Sequence, residues 1–380
     1  MAILLNVRLP KQPGLYCLEV VNHQLRSILP MEKVSANAVQ AMDLKGDWIS
    51  LGGVDLQING VLGLAFPDLE TPEELEKAAS FLWTQGIDAF APTIVTADTN
   101  KIQRSLAAIK AYQETDKQPG HATVLGAHLE GPFLNPNKRG AHPAEYVQPL
   151  SLERVKTLLS HYLDVVRIIT LAPEMEKDTE VIPWLKSHNI TVSLGHSLAT
   201  ATEAQTAFFQ GASMVTHAFN AMPGLHHREP GLLGAALTHP HVFAGVIADG
   251  QHICPTMLDL LLRIGRGSDT SGGLFLVSDA LSPLGLPDGI YPWDQREIEV
   301  KGGTARLADG TLSGTTRPLL DGAKNLVKWD LCSVEEAILL ATAHPRQAMG
   351  MPLLAPRQTT HLLQWHIDGK DLTWQRILEN

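Results

Sequence analysis

Two histidines, His196 and His217, end two short apolar runs, Val192-Ser193-Leu194-Gly195 and Met214-Val215-Thr216. A neutral imidazole binds a divalent metal through one ring nitrogen, and two on neighbouring strand ends make two thirds of a catalytic zinc site. Glu130, closing VLGAHLE, can supply a carboxylate that completes the set and leaves a fourth position for water. A metal so held lowers the pKa of its water towards neutrality and polarises a carbonyl oxygen. Asp279, in VSDA, is of the type that takes the water's proton and later gives it to a leaving group. Hydrolysis of an amide needs both halves of that service, because an amine anion leaves poorly. Singly, each residue has an ordinary use, the histidines on the surface and the two carboxylates as helix N-caps. Their placement in the chain decides between the readings.

The segment between the histidines has helical composition and is closed by Gly211, so strand, helix and strand fit there. A right-handed crossover then brings both imidazoles to the carboxyl ends of adjacent parallel strands. The same alternation recurs from residue 51 onward, with strands expected at 51–58, 87–95, 123–129, 165–171, 191–195, 213–216, 242–248 and 274–278. Helices are expected at 72–84, 99–113, 152–162, 180–188, 199–210, 231–238 and 255–264. This predicts a (β/α)8 barrel. An open doubly wound sheet is the alternative, but no GxGxxG follows the first strand. Gln57 and Asn59 follow strand 1, Glu130 ends strand 3, and Asp249 and His252 follow strand 7, all at the face where barrel active sites are built. The chain is therefore divided into a barrel, 51–344, and one accessory β domain from 1–50 plus 345–380. The stretch SPLGLPDGIYPWDQ reads as irregular, followed by two or three β pieces in REIEVKGG, TARLADG and GTLSG.

Composition narrows the partners. With 380 residues, 44% hydrophobic and 18% charged, a large core is available. The balance of 30 basic against 40 acidic side chains, a net charge of −10, excludes a dedicated nucleic-acid binder. A local anion site remains open, with Lys138, Arg139 and Arg228 as candidates in loops after the ligand-bearing strands. Cys17, Cys254 and Cys332 are odd in number and far apart, which excludes a disulfide framework and fits a reducing cytoplasm. Neither a signal peptide nor a membrane-length apolar run is evident, so no membrane partner is expected.

The motifs DLQING, HLEGPFLNPNKRGAHP, SLGHS, THAFNAM, REPGLLGAAL, ADGQHICP, VSDA and TLSG follow one another from about residue 50 to 350. Together they resemble the N-acetylglucosamine-6-phosphate deacetylases of the amidohydrolase superfamily. The resemblance implies hydrolysis of the N-acetyl group of N-acetyl-D-glucosamine 6-phosphate to D-glucosamine 6-phosphate and acetate. It implies Glu130, His196 and His217 as metal ligands and Asp279 as the acid/base. It adds Ala141, His142, Asn220, Ala221, Arg228, His252 and the Leu312-Ser313-Gly314-Thr315 turn as substrate contacts. Arg228 is expected to reach the neighbouring subunit's substrate phosphate, which implies a homodimer. Many amidohydrolases carry His-x-His after strand 1, supporting a second metal. Gln57 and Asn59 stand there instead, so one divalent metal per subunit is expected, zinc first, with iron, cobalt and manganese also suited to the donor set. The C-terminal HLLQWHIDGKDLTW departs from the usual Gly-Lys-x-Ala-Asp-Leu ending. N-Acetylgalactosamine 6-phosphate is the alternative substrate. A catalytically silent barrel used as an interaction module is the alternative of another class. Against it stands the completeness of Glu130, His196, His217 and Asp279.

Overall fold

Eight parallel strands carry the molecule, in a computed structural model that describes residues 1–34, 41–116, 118–177, 179–266, 272–358 and 361–378. They are β1 (Gly53–Ile58), β2 (Ile87–Val95), β3 (Ala127–Glu130), β4 (Val166–Leu171), β5 (Thr191–Leu194), β6 (Met214–Val215), β7 (Phe243–Val246) and β8 (Gly273–Leu276). Each pairs with the next in chain order. Between β8 and β1 the join is made by residues just past β8. The Asp279 N–H donates to Gln57 O (2.9 Å) and the Asn59 N–H to Ala280 O (2.7 Å). This is the (β/α)8 barrel, nearly closed. Val54, Leu56, Ala89, Ile168, Met214 and Phe275, drawn from strands around the ring, form one buried cluster that fills its centre.

Crossover helices are α1 (Pro72–Thr84), α2 (Thr99–Gln113), α3 (Leu152–Leu159), α4 (Val181–Ser187), α5 (Ala201–Gln210), α6 (Gly231–Thr238), α7 (Pro255–Arg266) and α8 (Leu319–Lys328). Local chemistry sets their starts. Thr71 with Glu74, and Thr200 with Glu203, form reciprocal capping boxes at α1 and α5. Because Thr200 is the cap, α5 begins at Ala201 and not at the expected 199. Gly211, at φ 125°, ends it. The strand expected over 123–129 is broken in two. Gly126 sits at φ 123° where a Cβ would lie 2.4 Å from Val165 O, so β3 proper starts at Ala127.

Two further sheets flank the barrel. In one, Leu362–Asp368 and Asp371–Ile377 form a hairpin whose first strand pairs antiparallel with Trp48–Leu51; beyond lie Ala2–Leu9, Gln12–Val21 and Gln24–Pro30. Leu4, Leu18, Leu25 and Ile49 give this sheet its own buried cluster. It is fastened to the barrel at Asp88 of β2, whose carboxylate accepts from Arg346, Arg376 and the Gly52 N–H. All three partners satisfy one partly buried charge, and Arg376 also lies 3.5 Å over the Trp83 ring. The other sheet follows β8 and has four antiparallel strands, Gly289–Trp293, Arg296–Lys301, Thr304–Leu307 and Leu312–Thr315. The sequence reading expects only two or three strands here and leaves 289–293 irregular. Pro292 is accommodated because its strand is an edge, where a missing N–H costs nothing. No described helix is long and apolar enough to cross a membrane.

Candidate functional site

The register of β5 and β6 explains the histidine spacing. Leu194 pairs with Val215, an offset of 21, which is also the offset between His196 and His217. Each histidine lies two residues beyond its pairing partner and therefore stands opposite the other. Both leave the strand in the left-handed region, His196 at φ 49° and His217 at φ 29°, as does Asp279 at φ 49°. Such conformations cost about 1–2 kcal/mol for a residue with a Cβ, and here they turn side chains in over the barrel's end.

Glu130, the last residue of β3, completes the cluster. Its Oε1 lies 3.0 Å from His217 Nε2 and 3.2 Å from His196 Nε2, and the two Nε2 atoms are 3.0 Å apart. All three side chains are buried. Burial alone would raise the Glu130 carboxyl, but the two imidazoles facing it hold it well below the usual carboxylate range. His196 donates its Nδ1–H to Lys138 O (2.9 Å), which leaves the Nε2 lone pair aimed at the cluster. Two imidazole nitrogens and a carboxylate oxygen converging in the interior fit a divalent cation.

His142 also stands close, its Nε2 3.9 Å from Glu130 Oε2, and Glu130, His142 and His196 could by distance alone be counted as the ligand group. Its hydrogen bonding argues otherwise. His142 Nδ1 accepts from the Thr96 N–H (3.3 Å), so in the neutral ring the proton sits on Nε2. Burial, and next the neighbouring His196, push its pKa down to about 3, so the ring is neutral at working pH. His142 thus presents a donor to the cavity, whereas His217 presents a second nitrogen to the cluster.

Asp279 faces the cluster from beyond β8. Its Oδ1 accepts from Asn59 Nδ2 (2.7 Å) and Gln57 Nε2 (3.3 Å), while Gln57 Nε2 also reaches Glu130 Oε1 (2.9 Å). Burial first, and the Glu130 charge second, raise the Asp279 carboxyl to about 6. Among the described residues its Oδ2 makes no hydrogen bond and opens on the cavity.

The cavity, about 680 Å³, is lined by the three cluster residues, Asn59, Asp279, Ala141, His142, Asn220, Ala221, His252, Leu312 and Ser313. His252 donates its Nδ1–H to Asp249 (2.8 Å) and so turns Nε2 inward. Several other expected residues stand apart from the lining. Gln57 lies behind Glu130 and Asp279. Gly314 packs where a Cβ would lie 3.0 Å from Asp279 O, and Thr315 donates its hydroxyl to Ser278 O (3.0 Å). Arg228 is exposed, outside its own cavity, with Nη1 3.0 Å from His227 Nε2. Arg139 lines the cavity and donates to His142 O (2.7 Å), and Lys138 reaches Met222 O (3.5 Å).

Sequence reasoning missed Glu174, after β4, the one strand between two ligand-bearing neighbours that lacked an assigned residue. Its carboxylate accepts from Asn135 Nδ2 (2.8 Å), Ser197 Oγ (2.7 Å) and the Leu198 N–H, while the Asn135 N–H donates to His196 O (2.9 Å). Glu174 therefore holds the loop that carries His196. Glu174→Gln puts an amide where both carboxylate oxygens now accept, from three donors in all. It should weaken metal binding about 10- to 100-fold, as loss of outer support does elsewhere, with the thermal midpoint nearly unchanged. Chelator competition measures this, and an unchanged metal affinity would count against the role.

A parallel barrel with a Glu/His/His cluster and a nearby carboxylate at its carboxyl end defines a metal-dependent hydrolase of the amidohydrolase type. No family model matches the chain. It is, however, 35% identical over 329 residues to an N-acetylglucosamine-6-phosphate deacetylase of Vibrio furnissii, covering 84% of this chain and 80% of that one. It is also 35% identical over 298 residues to an N-acetylgalactosamine-6-phosphate deacetylase of Escherichia coli O157:H7, covering 78% and 77%. The crystal structure of N-acetylglucosamine-6-phosphate deacetylase from Pasteurella multocida superimposes with a TM-score of 0.85 at 27% identity, covering 99% of each chain. The chain belongs to the N-acetylglucosamine-6-phosphate deacetylase family of the amidohydrolase superfamily.

Proposed function

We propose that this chain hydrolyses the N-acetyl group of N-acetyl-D-glucosamine 6-phosphate to D-glucosamine 6-phosphate and acetate, with Asp279 as acid and base. The observation that carries the reading is the meeting of Glu130 Oε1, His196 Nε2 and His217 Nε2 within 3.2 Å of one another, opposite Asp279. A divalent metal held by these three supplies an electrophile for the amide carbonyl and a water of lowered pKa. One metal per subunit, zinc first with iron, cobalt and manganese as alternatives, fits the amides of Gln57 and Asn59, which donate to Glu130 and Asp279 where a second metal would need ligands.

The chain's own residues do the proton work. Asn59 and Gln57 hold Oδ1 of Asp279, leaving Oδ2 to take a proton from the attacking water as the new C–O bond forms. The same oxygen returns that proton to nitrogen as the C–N bond breaks, so the amine leaves neutral. His142 donates its Nε2–H to a substrate oxygen. Asn220, Ala221 and His252, with Ala141, Leu312 and Ser313, receive the sugar phosphate, while Gly314 and Thr315 support the wall behind Asp279. Arg228 serves the neighbouring subunit's phosphate in a homodimer, a role its exposure outside its own cavity supports. The barrel spans 51–344, with 1–50 and 345–380 as the accessory domain, a division supported by the separate buried cluster of the terminal sheet. The absence of a disulfide among the three described cysteines supports a reducing, cytoplasmic setting.

Acetate release by the purified protein on the gluco and galacto sugar phosphates tests the substrate. Faster turnover of the gluco sugar is expected, and equal or greater turnover of the galacto sugar would overturn that assignment.

A further inference from the structure

The four-stranded sheet beyond β8 reaches the cavity at the turn between its first two strands, where Trp293, Asp294 and Arg296 join the lining. Arg296 is held there on several sides. Its Nε donates to the Asp294 carboxylate (3.0 Å), its Nη2 donates to Ala141 O (2.8 Å), and its guanidinium lies over the Trp293 ring, 4.8 Å from the centroid. The bond to Ala141 spans the mouth of the barrel. Ala141 follows β3, whereas the sheet is attached beside Asp279, its last strand bridging at Thr315 to Ala280. Among the described residues Nη1 of Arg296 has no hydrogen-bond partner. A buttressed guanidinium with one free nitrogen, on a cavity wall, is a preorganised donor fork.

Asn220, Ala221 and His252 lie in the loops after β6 and β7, and Arg296 joins the same cavity from the β3 side, beside Ala141 and His142. Given the deacetylase reading, on which this inference rests, the sugar phosphate fills this cavity, and Nη1 of Arg296 is a donor on its wall for a ring hydroxyl. We propose that Arg296, fixed by Trp293 and Asp294, is a specificity-determining residue that reads the ring hydroxyls and sets the preference between the gluco and galacto configurations. The two sugars differ by the direction of a single hydroxyl. A rigid donor matched to one direction leaves its N–H unpaired against the other, and sites of this kind discriminate far better than apolar ones.

The test compares wild type, Arg296→Lys, Arg296→Ala and Trp293→Ala on N-acetylglucosamine 6-phosphate, N-acetylgalactosamine 6-phosphate and phosphate-free N-acetylglucosamine, with metal content and thermal midpoint measured alongside. Arg296→Lys keeps the charge and so guards against simple misfolding. Both Arg296 variants should lose about 10- to 100-fold in kcat/KM on the favoured epimer. They should also bring the two epimers to within about threefold of each other. The penalty for removing the phosphate should stay as in wild type, as should metal content, and Trp293→Ala should shift the epimer ratio in the same direction by less. An unchanged epimer ratio in both Arg296 variants overturns the proposal, whether or not overall activity falls, because a merely supporting residue would lower both sugars alike. A wild type active on neither sugar phosphate would remove the deacetylase reading and this inference with it. An active wild type with unaltered ratios in the variants removes this inference alone.

Discussion

Asp279→Asn should cut deacetylation by about 10⁴-fold, at the upper end for a single proton-transfer group because one carboxylate serves both as base and as acid. The exchange is nearly isosteric. The Asn59 and Gln57 amides that now donate to Oδ1 can donate to the new amide oxygen, so the fold and metal content should survive. Activity that persisted within tenfold of wild type, at full metal content, would show that the proton is carried elsewhere. The pH profile gives an independent check. Asp279 must be ionised to accept the proton, so kcat/KM should fall on the acid side as pH drops through its pKa. Burial first and the Glu130 charge second place that carboxyl near 6 in the metal-free chain. A cation held by Glu130 offsets the second contribution, so the acid limb of the loaded enzyme should lie below 6. Asp279→Asn should abolish that limb.

Removing the metal should lower turnover by about 10³-fold or more, since Lewis-acid activation contributes several kcal/mol. Activity should return as one equivalent of Zn²⁺, Fe²⁺, Co²⁺ or Mn²⁺ per chain is added back, and elemental analysis of the restored protein gives the stoichiometry. Two equivalents would contradict the reading of Gln57 and Asn59. His217→Ala should fail to bind the metal, whereas His142→Ala should bind it with near-normal affinity while losing activity. These two variants separate the assignments that distance alone leaves competing. His142 and His217 both stand near Glu130, but only His142 has its Nδ1 occupied as an acceptor by a backbone N–H. A metal-free His142→Ala would reverse the assignment.

Much of the site could be read along the chain because barrel topology converts spacing into position. The 21-residue interval between the histidines is the register offset of β5 against β6. The positions of Glu130 and Asp279 follow from the rule that chemistry gathers at strand ends. What could not be read depends on contacts that no local pattern encodes. Glu174 acts on Ser197 and Asn135, 23 and 39 positions away, through a loop whose own composition is unremarkable. Arg296 meets Ala141 across 155 positions, from a turn hidden in a Pro- and Gly-rich stretch. Gly314 and Thr315 resemble lining residues by motif, yet their strand packs against the backbone of residues 278–281, with Thr315 bridging to Ala280, which puts them behind the wall.

The pairing of Trp48–Leu51 with Leu362–Asp368 bears on how the molecule is made. Leu51 and Leu362 are partners in the sheet but 311 positions apart (362 less 51). At translation speeds of about 5–20 residues per second, roughly 15–60 s pass between their emergence from the ribosome. During that interval the N-terminal strands are complete except along one edge, and Trp48, Ile49 and Leu51 offer that edge to any strand nearby. The barrel residue Asp88 waits nearly as long for Arg346 and Arg376, 258 and 288 positions further on. A ribosome stalled just before residue 362 would therefore leave a chain that already holds Glu130, His196, His217 and Asp279 but still has an unsealed β edge, and such products should aggregate.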